Sequence, residues 1–180
     1  MIVHAYPAHK RLRLWLWSVL PAAITLLFLV AYLVPKRVSG LDSFMPVLPM
    51  LPIFYWGLNH APHMPYWFVF AVGLLVDAVT GQPLGMSSLL NVFFLLMVRT
   101  QHKYIHKEGF VIKWGYFAML LGAVCLAHGM IMFAYAGVWG IKFMIIQWFL
   151  TVCCYPLFHQ LFDTLHHHAT QQRWHLLHTR

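Results

Sequence analysis

Thirteen of the 180 residues are histidine, and three groups have the spacing of a metal site: His60-x-x-His63, His102-x-x-x-His106 and the run His166-His167-His168. Imidazole suits iron, and boxes of this kind converging at one membrane face are how di-iron membrane desaturases and hydroxylases hold their metal. A second candidate is a single acid. Asp77 lies inside an apolar run, three residues from its end, in Gly73-Leu74-Leu75-Val76-Asp77. An ionisable side chain inside a spanning segment is expensive and points to function by default. The competing reading is a carboxyl at the membrane edge that bonds the backbone of the following turn, where Thr80 and Gly81 supply partners. Both readings stand, with the structural one ahead.

The surroundings weigh against the metal. His60 and His63 fall in a tight, proline-containing loop, the nearby carboxylates are only Glu108 and Asp163, and the third box lies on a polar tail beyond the last apolar run. His128, alone within an apolar run, reads as a hydrogen-bonded core histidine. Cys125, Cys153 and Cys154 all lie in apolar runs, are odd in number, and offer no metal spacing, so they read as packing residues rather than a disulfide framework. The chain shows no nucleophile–base pair, no phosphate loop, no paired carboxylates and no cluster of convergent polar groups in the apolar runs. No enzyme and no cofactor is expected. A small-molecule binding or transport subunit is the first alternative, and the His-box oxygenase comes after it.

The elements that would position these residues follow from composition. The chain is 61% hydrophobic and 9% charged, against about half and about a quarter in soluble domains. A globule of this size could not bury that much apolar surface, so lipid must be its solvent. A spanning helix takes about 20 residues, and six apolar runs occur, at about 14–34, 41–58, 64–80, 84–98, 110–135 and 140–158. This predicts an all-α integral membrane bundle of six spans, with a basic arm over 1–13 and a histidine-rich tail over 159–180. The second run carries Pro46, Pro49 and Pro52, which predicts a kinked segment packed inside the bundle. Gly81-Gln82-Pro83 makes the third and fourth runs an antiparallel hairpin. In the fifth run, Gly115, Ala118, Gly122 and Gly129 form a small-residue face suited to close helix packing. Trp15, Trp17, Trp56, Trp67, Trp114 and Trp139 lie near run ends, as interfacial anchors do.

The formal charge of +8 sits between the apolar runs rather than on a stripe, which argues for membrane orientation and anionic lipid headgroups, not nucleic acid. With the N-terminus inside, one face receives Lys10, Arg11, Arg13, Arg99, Lys103, Lys107, Lys113, Arg173 and Arg180, and the other only Lys36, Arg37 and Lys142. Nine against three places both termini in the cytoplasm.

Tyr55-Trp56, a proline-containing loop, Phe70, Gly73-Leu74-Leu75, Asp77, Gly81 and Leu84-Gly85, in that order and spacing, resemble the core pattern of the bacterial rod shape-determining MreD family. The likeness runs from about Pro46 to Met97; elsewhere it is one of length, span number and topology. The resemblance implies a non-enzymatic inner-membrane component of the cell-wall elongation machinery. Its partners would be an MreC-like bitopic scaffold and, indirectly, an MreB-like actin homologue and the peptidoglycan synthases. It also implies a fold like the substrate-binding subunits of energy-coupling vitamin transporters. Tyr55, Trp56, Gly73, Asp77, Gly81 and Gly85 would form the shared core, with Gly81 and Gly85 tightening the hairpin and Tyr55 and Trp56 anchoring the inner end of the second span.

Overall fold

The computed structural model describes the backbone of residues 8–34, 46–59, 64–105, 107–137 and 140–178, and the side chains of all of these except 8–18, 136 and 165–178. Among the described residues seven helices follow in order: α1 Ala8–Leu33, α2 Met50–Asn59, α3 Tyr66–Thr80, α4 Met86–Thr100, α5 His102–Ile105, α6 Phe110–Ala136 and α7 Ile141–His178. Apart from the C-terminal half of α7, the long helices follow the apolar runs, because a run of this composition has no water to satisfy its main chain and must bond internally.

Among the described residues two helices are long and apolar enough to cross a membrane on their own, at Phe110–Tyr135 and Ile141–Thr164. The 27 residues of α6 extend about 40 Å at 1.5 Å per residue, more than the roughly 30 Å hydrocarbon core. Val19–Leu33, Tyr66–Thr80 and Met86–Thr100 are shorter apolar helices. The helix of the sixth run does not stop where its apolar stretch does: α7 continues through the histidine-rich segment to His178.

The second run differs most from expectation. Pro46 and Pro49 precede α2 rather than kinking it, in turns closed by Leu48 N–H to the Pro46 carbonyl and Met50 N–H to the Val47 carbonyl. Pro52 falls in the first turn, where a missing N–H costs nothing. What remains is a ten-residue helix, and every residue from Met50 to Leu58 is buried. A helix apolar on all sides belongs in the middle, and α2 occupies that place. The Phe54 ring packs edge-on to Phe117 and Tyr155, at centroid distances of 5.0 and 5.6 Å, and tilted against Phe94 at 6.2 Å. The surrounding helices turn one face to this core and expose Leu27, Leu75, Leu89, Met119 and Leu126 on the other. Such an exterior suits lipid.

Candidate functional site

Asp77 is fully buried, and its partners are neither Thr80 nor Gly81. One carboxyl oxygen accepts from the Gly85 N–H at 2.8 Å, and the two share the Ser87 N–H at 3.1 and 3.2 Å. These are donors of the first turn of α4, which no main-chain carbonyl of that helix reaches. A negative group at a helix N-terminus also meets the positive end of the helix dipole. Thr80 turns back to the Val76 carbonyl at 2.7 Å, while the Gly81 and Gln82 N–H groups close on the main-chain oxygen of Asp77.

The glycines around Asp77 explain the four-residue spacing. Gly81 ends α3 at φ 67° and Gly85 opens α4 at φ 95°, both in the left-handed region that side chains resist. Gly73 lies one turn earlier, where an added Cβ would stand 2.5 Å from the Ser88 nitrogen and 2.8 Å from the Ser87 carbonyl carbon. Its missing side chain lets the start of α4 approach closely enough for Asp77 to cap it. Gly73, Asp77, Gly81 and Gly85 are therefore one device: near approach, cap, stop and restart.

At the opposite end of α2, Tyr55 and Trp56 are 2% and 3% exposed, so Trp56 is a core residue rather than an interfacial anchor. Burial suits its place between Tyr55 and Phe162, whose ring centroids lie 5.4 and 4.9 Å away. Tyr55 donates its hydroxyl to Asp163 at 3.3 Å, joining α2 to α7. Trp67, in the first turn of α3, is 72% exposed; Trp114 donates its indole N–H to the Val152 carbonyl at 3.0 Å. Trp15, Trp17 and Trp139 lie outside the described side chains. Arg99 donates to the Met64 carbonyl and stands 4.2 Å over the Tyr66 ring.

On α6, the small residues divide. Trp148 donates its indole N–H to the Ala118 carbonyl at 2.8 Å, and Gly122 and Gly129 face Trp148 and Met144 of α7. Gly115 is exposed, with nothing within 4 Å of where its Cβ would be, so it is not part of this face.

Of the histidine boxes, only His102 has a described side chain. His102 donates Nδ1–H to the Leu58 carbonyl. His60, His63 and His106 lie outside the described residues, as do the side chains of His166, His167 and His168. Among the described residues no group of three His, Cys, Asp or Glu side chains could hold a metal ion.

The absence of convergent polar groups expected from the apolar runs is overturned by a cavity of about 350 Å³. It lies at the hairpin end of the bundle, between the last turn of α1, the start of α2, the α3–α4 hairpin, α6 and α7. Its polar wall is made of Gln82, Ser87, Asn91, His128 and Gln147, against apolar residues such as Leu121 and Val124. His128 donates Nε2–H to Gln82 Oε1 at 3.1 Å, spanning from α6 to the hairpin turn. One or two polar residues in each stretch escape notice along the sequence; four elements bring them to one place. The signal was present only as single amides and a histidine at matching depths.

The model of the family described as rod shape-determining protein MreD matches residues 12–166. The chain belongs to the MreD family. The match reaches far beyond the hairpin, from the first helix into α7. No curated protein and no solved structure matches the chain. As an MreD family member, the protein is a rod-shape-determining membrane component. The MreD hairpin residues and the cavity are adjacent: Ser87, held by Asp77, lines the cavity wall.

Proposed function

We propose that this MreD family member is a non-enzymatic docking subunit of the bacterial inner membrane. It crosses the bilayer six times with both termini in the cytoplasm, binds an MreC-like bitopic scaffold, and through it positions peptidoglycan synthesis for rod growth. The MreB-like actin homologue and the synthases are then reached indirectly.

The observation that carries this reading is the cavity at the hairpin end of the bundle. In the six-span topology the α3–α4 turn faces outward, away from the side richer in Lys and Arg. A bitopic scaffold has its extracytoplasmic part there, emerging from a span alongside. The α3–α4 hairpin, capped by Asp77, supplies a rigid wall to the cavity, and a rigid wall lowers the ordering cost of docking.

The test is site-specific photo-cross-linking in the living bacterium. A cross-linking residue at Phe143, on the cavity wall, is expected to capture the scaffold. The same residue at Phe93, exposed on α4 and not among the cavity lining, is expected to capture far less. Equal capture from both positions, or none from either, sinks the docking reading.

A second reading, small-molecule binding, is favoured by the size of the cavity, which lies within the roughly 300–1,000 Å³ range of ligand pockets. Native mass spectrometry of the protein released from nanodiscs would reveal a bound molecule as an added mass.

A further inference from the structure

Asn91 is one of the buried polar residues of the core. It sits on α4, 6% exposed, on the cavity wall, and its side-chain amide makes no hydrogen bond among the described residues. Gln147, half-buried on α7 and on the same cavity wall, is in the same condition. Gln82 and His128, by contrast, bond each other. An amide that lines a cavity without a protein partner keeps its donors and acceptor available to whatever enters. Two such amides bordering one cavity mark hydrogen-bonding capacity held in reserve.

The chemistry of the wall narrows the occupant. Among the described lining residues none is Asp, Glu, Lys or Arg, so the described wall offers a phosphate, carboxylate or ammonium no fixed counter-charge. A primary amide offers one acceptor and two donors, the complement of a peptide main chain that brings an N–H and a C=O per residue. Leu90, Leu121, Val124 and Met132 supply the apolar contact for its side chains.

Resting on the docking reading, we propose that Asn91 and Gln147 are the hydrogen-bond anchors for the main chain of an uncharged scaffold segment that inserts into this cavity. The amides are the specificity-determining groups: they accept extended main chain and leave charged segments outside.

The experiment uses the full chain in lipid nanodiscs and the purified full-length scaffold subunit of the same bacterium as probe. Asn91→Leu and Gln147→Leu are each expected to weaken binding about tenfold or more. Asn91→Leu should at the same time leave the unfolding midpoint of the protein without its partner at or above that of the wild type, because the amide it removes has no protein partner among the described residues. A residue that merely holds the fold would lower the midpoint and the affinity together, and that result overturns the proposal. So does scaffold binding unchanged in both variants. If the wild-type chain fails to bind the scaffold at all, the docking reading falls first and the anchors with it. Asn91-dependent binding of a small molecule that excludes the scaffold overturns the choice of a peptide.

Discussion

Two helical hairpins in this protein use glycine at their packing surface in different ways. In α3–α4, Gly73 faces main chain: the Ser88 nitrogen and the Ser87 carbonyl carbon. In α6–α7, Gly129 faces the sulfur and terminal methyl of Met144, and Gly122 faces the Trp148 ring. The helices of the first hairpin pack backbone to backbone, with Asp77 bonding across it to the start of α4. The second leaves an apolar hollow of about 270 Å³ between its helices, lined by Gly122, Gly129 and Trp148 among others. Backbone against backbone makes a fixed wall, whereas backbone against the ends of long side chains makes an adjustable one. The cavity at the hairpin end is bounded by one of each.

The sharpest way to break the fixed wall is Gly73→Ala. The new methyl has no space, because what it meets is helix backbone rather than a movable side chain. Relief requires α4 to move away, and that pulls Gly85 and Ser87 from Asp77. Overpacking of this kind costs about 3 kcal/mol or more, and the variant should show a large drop in unfolding midpoint in nanodiscs and lose rod-shape function. A Gly73→Ala protein with wild-type stability would mean that the two helices are not held this closely.

Asp77→Asn comes next. One side-chain oxygen can still accept a hydrogen bond, but the charge that complements the start of α4 is gone and the amide brings donors where donors already converge. The loss is about 1–3 kcal/mol, from a hydrogen bond to a charged group and the helix-terminus interaction. Insertion into the membrane should be intact, while assembly or shape maintenance weakens. Normal rods at native expression would show that Asp77 has no essential role. Gly85→Ala is smaller again: at φ 95° a side chain costs about 1–2 kcal/mol, although nothing lies within 4 Å of the added carbon. Thermal unfolding of the single variant separates this conformational cost from the steric one at Gly73.

How much of this was legible along the chain follows the same division. The hairpin was readable because its devices are local: Gly81-Gln82-Pro83 makes the turn, and Asp77, Gly81 and Gly85 recur every four residues. Even there the partners of Asp77 were misplaced by one step, since the reach from α3 to the start of α4 depends on how close Gly73 lets them come. Family membership was also readable, because the ordered motif lies within the chain segment that the family model matches. The prolines of the second run suggested a kink, but a helix begun after Pro46 and Pro49 needs none, and its burial on all sides was carried by its unbroken apolar composition. The cavity was hidden. Gln82, Asn91, His128 and Gln147 are isolated polar residues in four separate stretches, and their convergence is a property of depth and rotation that no single stretch contains. Trp56 misled for a related reason: closeness to a run's end does not say whether the helix lies at the rim or the centre.

The smallest expected effect tests the adjustable wall with the same substitution that should wreck the fixed one. In Gly129→Ala the added carbon would stand 2.5 Å from the Met144 methyl, with the sulfur nearer still. Methionine has three rotatable bonds and re-packs readily, and the hollow between α6 and α7 gives its end somewhere to go. The displacement cost is therefore offset in part by the gain of replacing glycine within a helix, about 0.5–1 kcal/mol. The net change should lie within about 1 kcal/mol of zero by these two terms, read as an unfolding midpoint close to wild type. Met144 also lines the cavity, so its new position should alter scaffold affinity more than stability. A loss of stability as large as that of Gly73→Ala would show that both hairpins are rigid, and that the cavity has no yielding side.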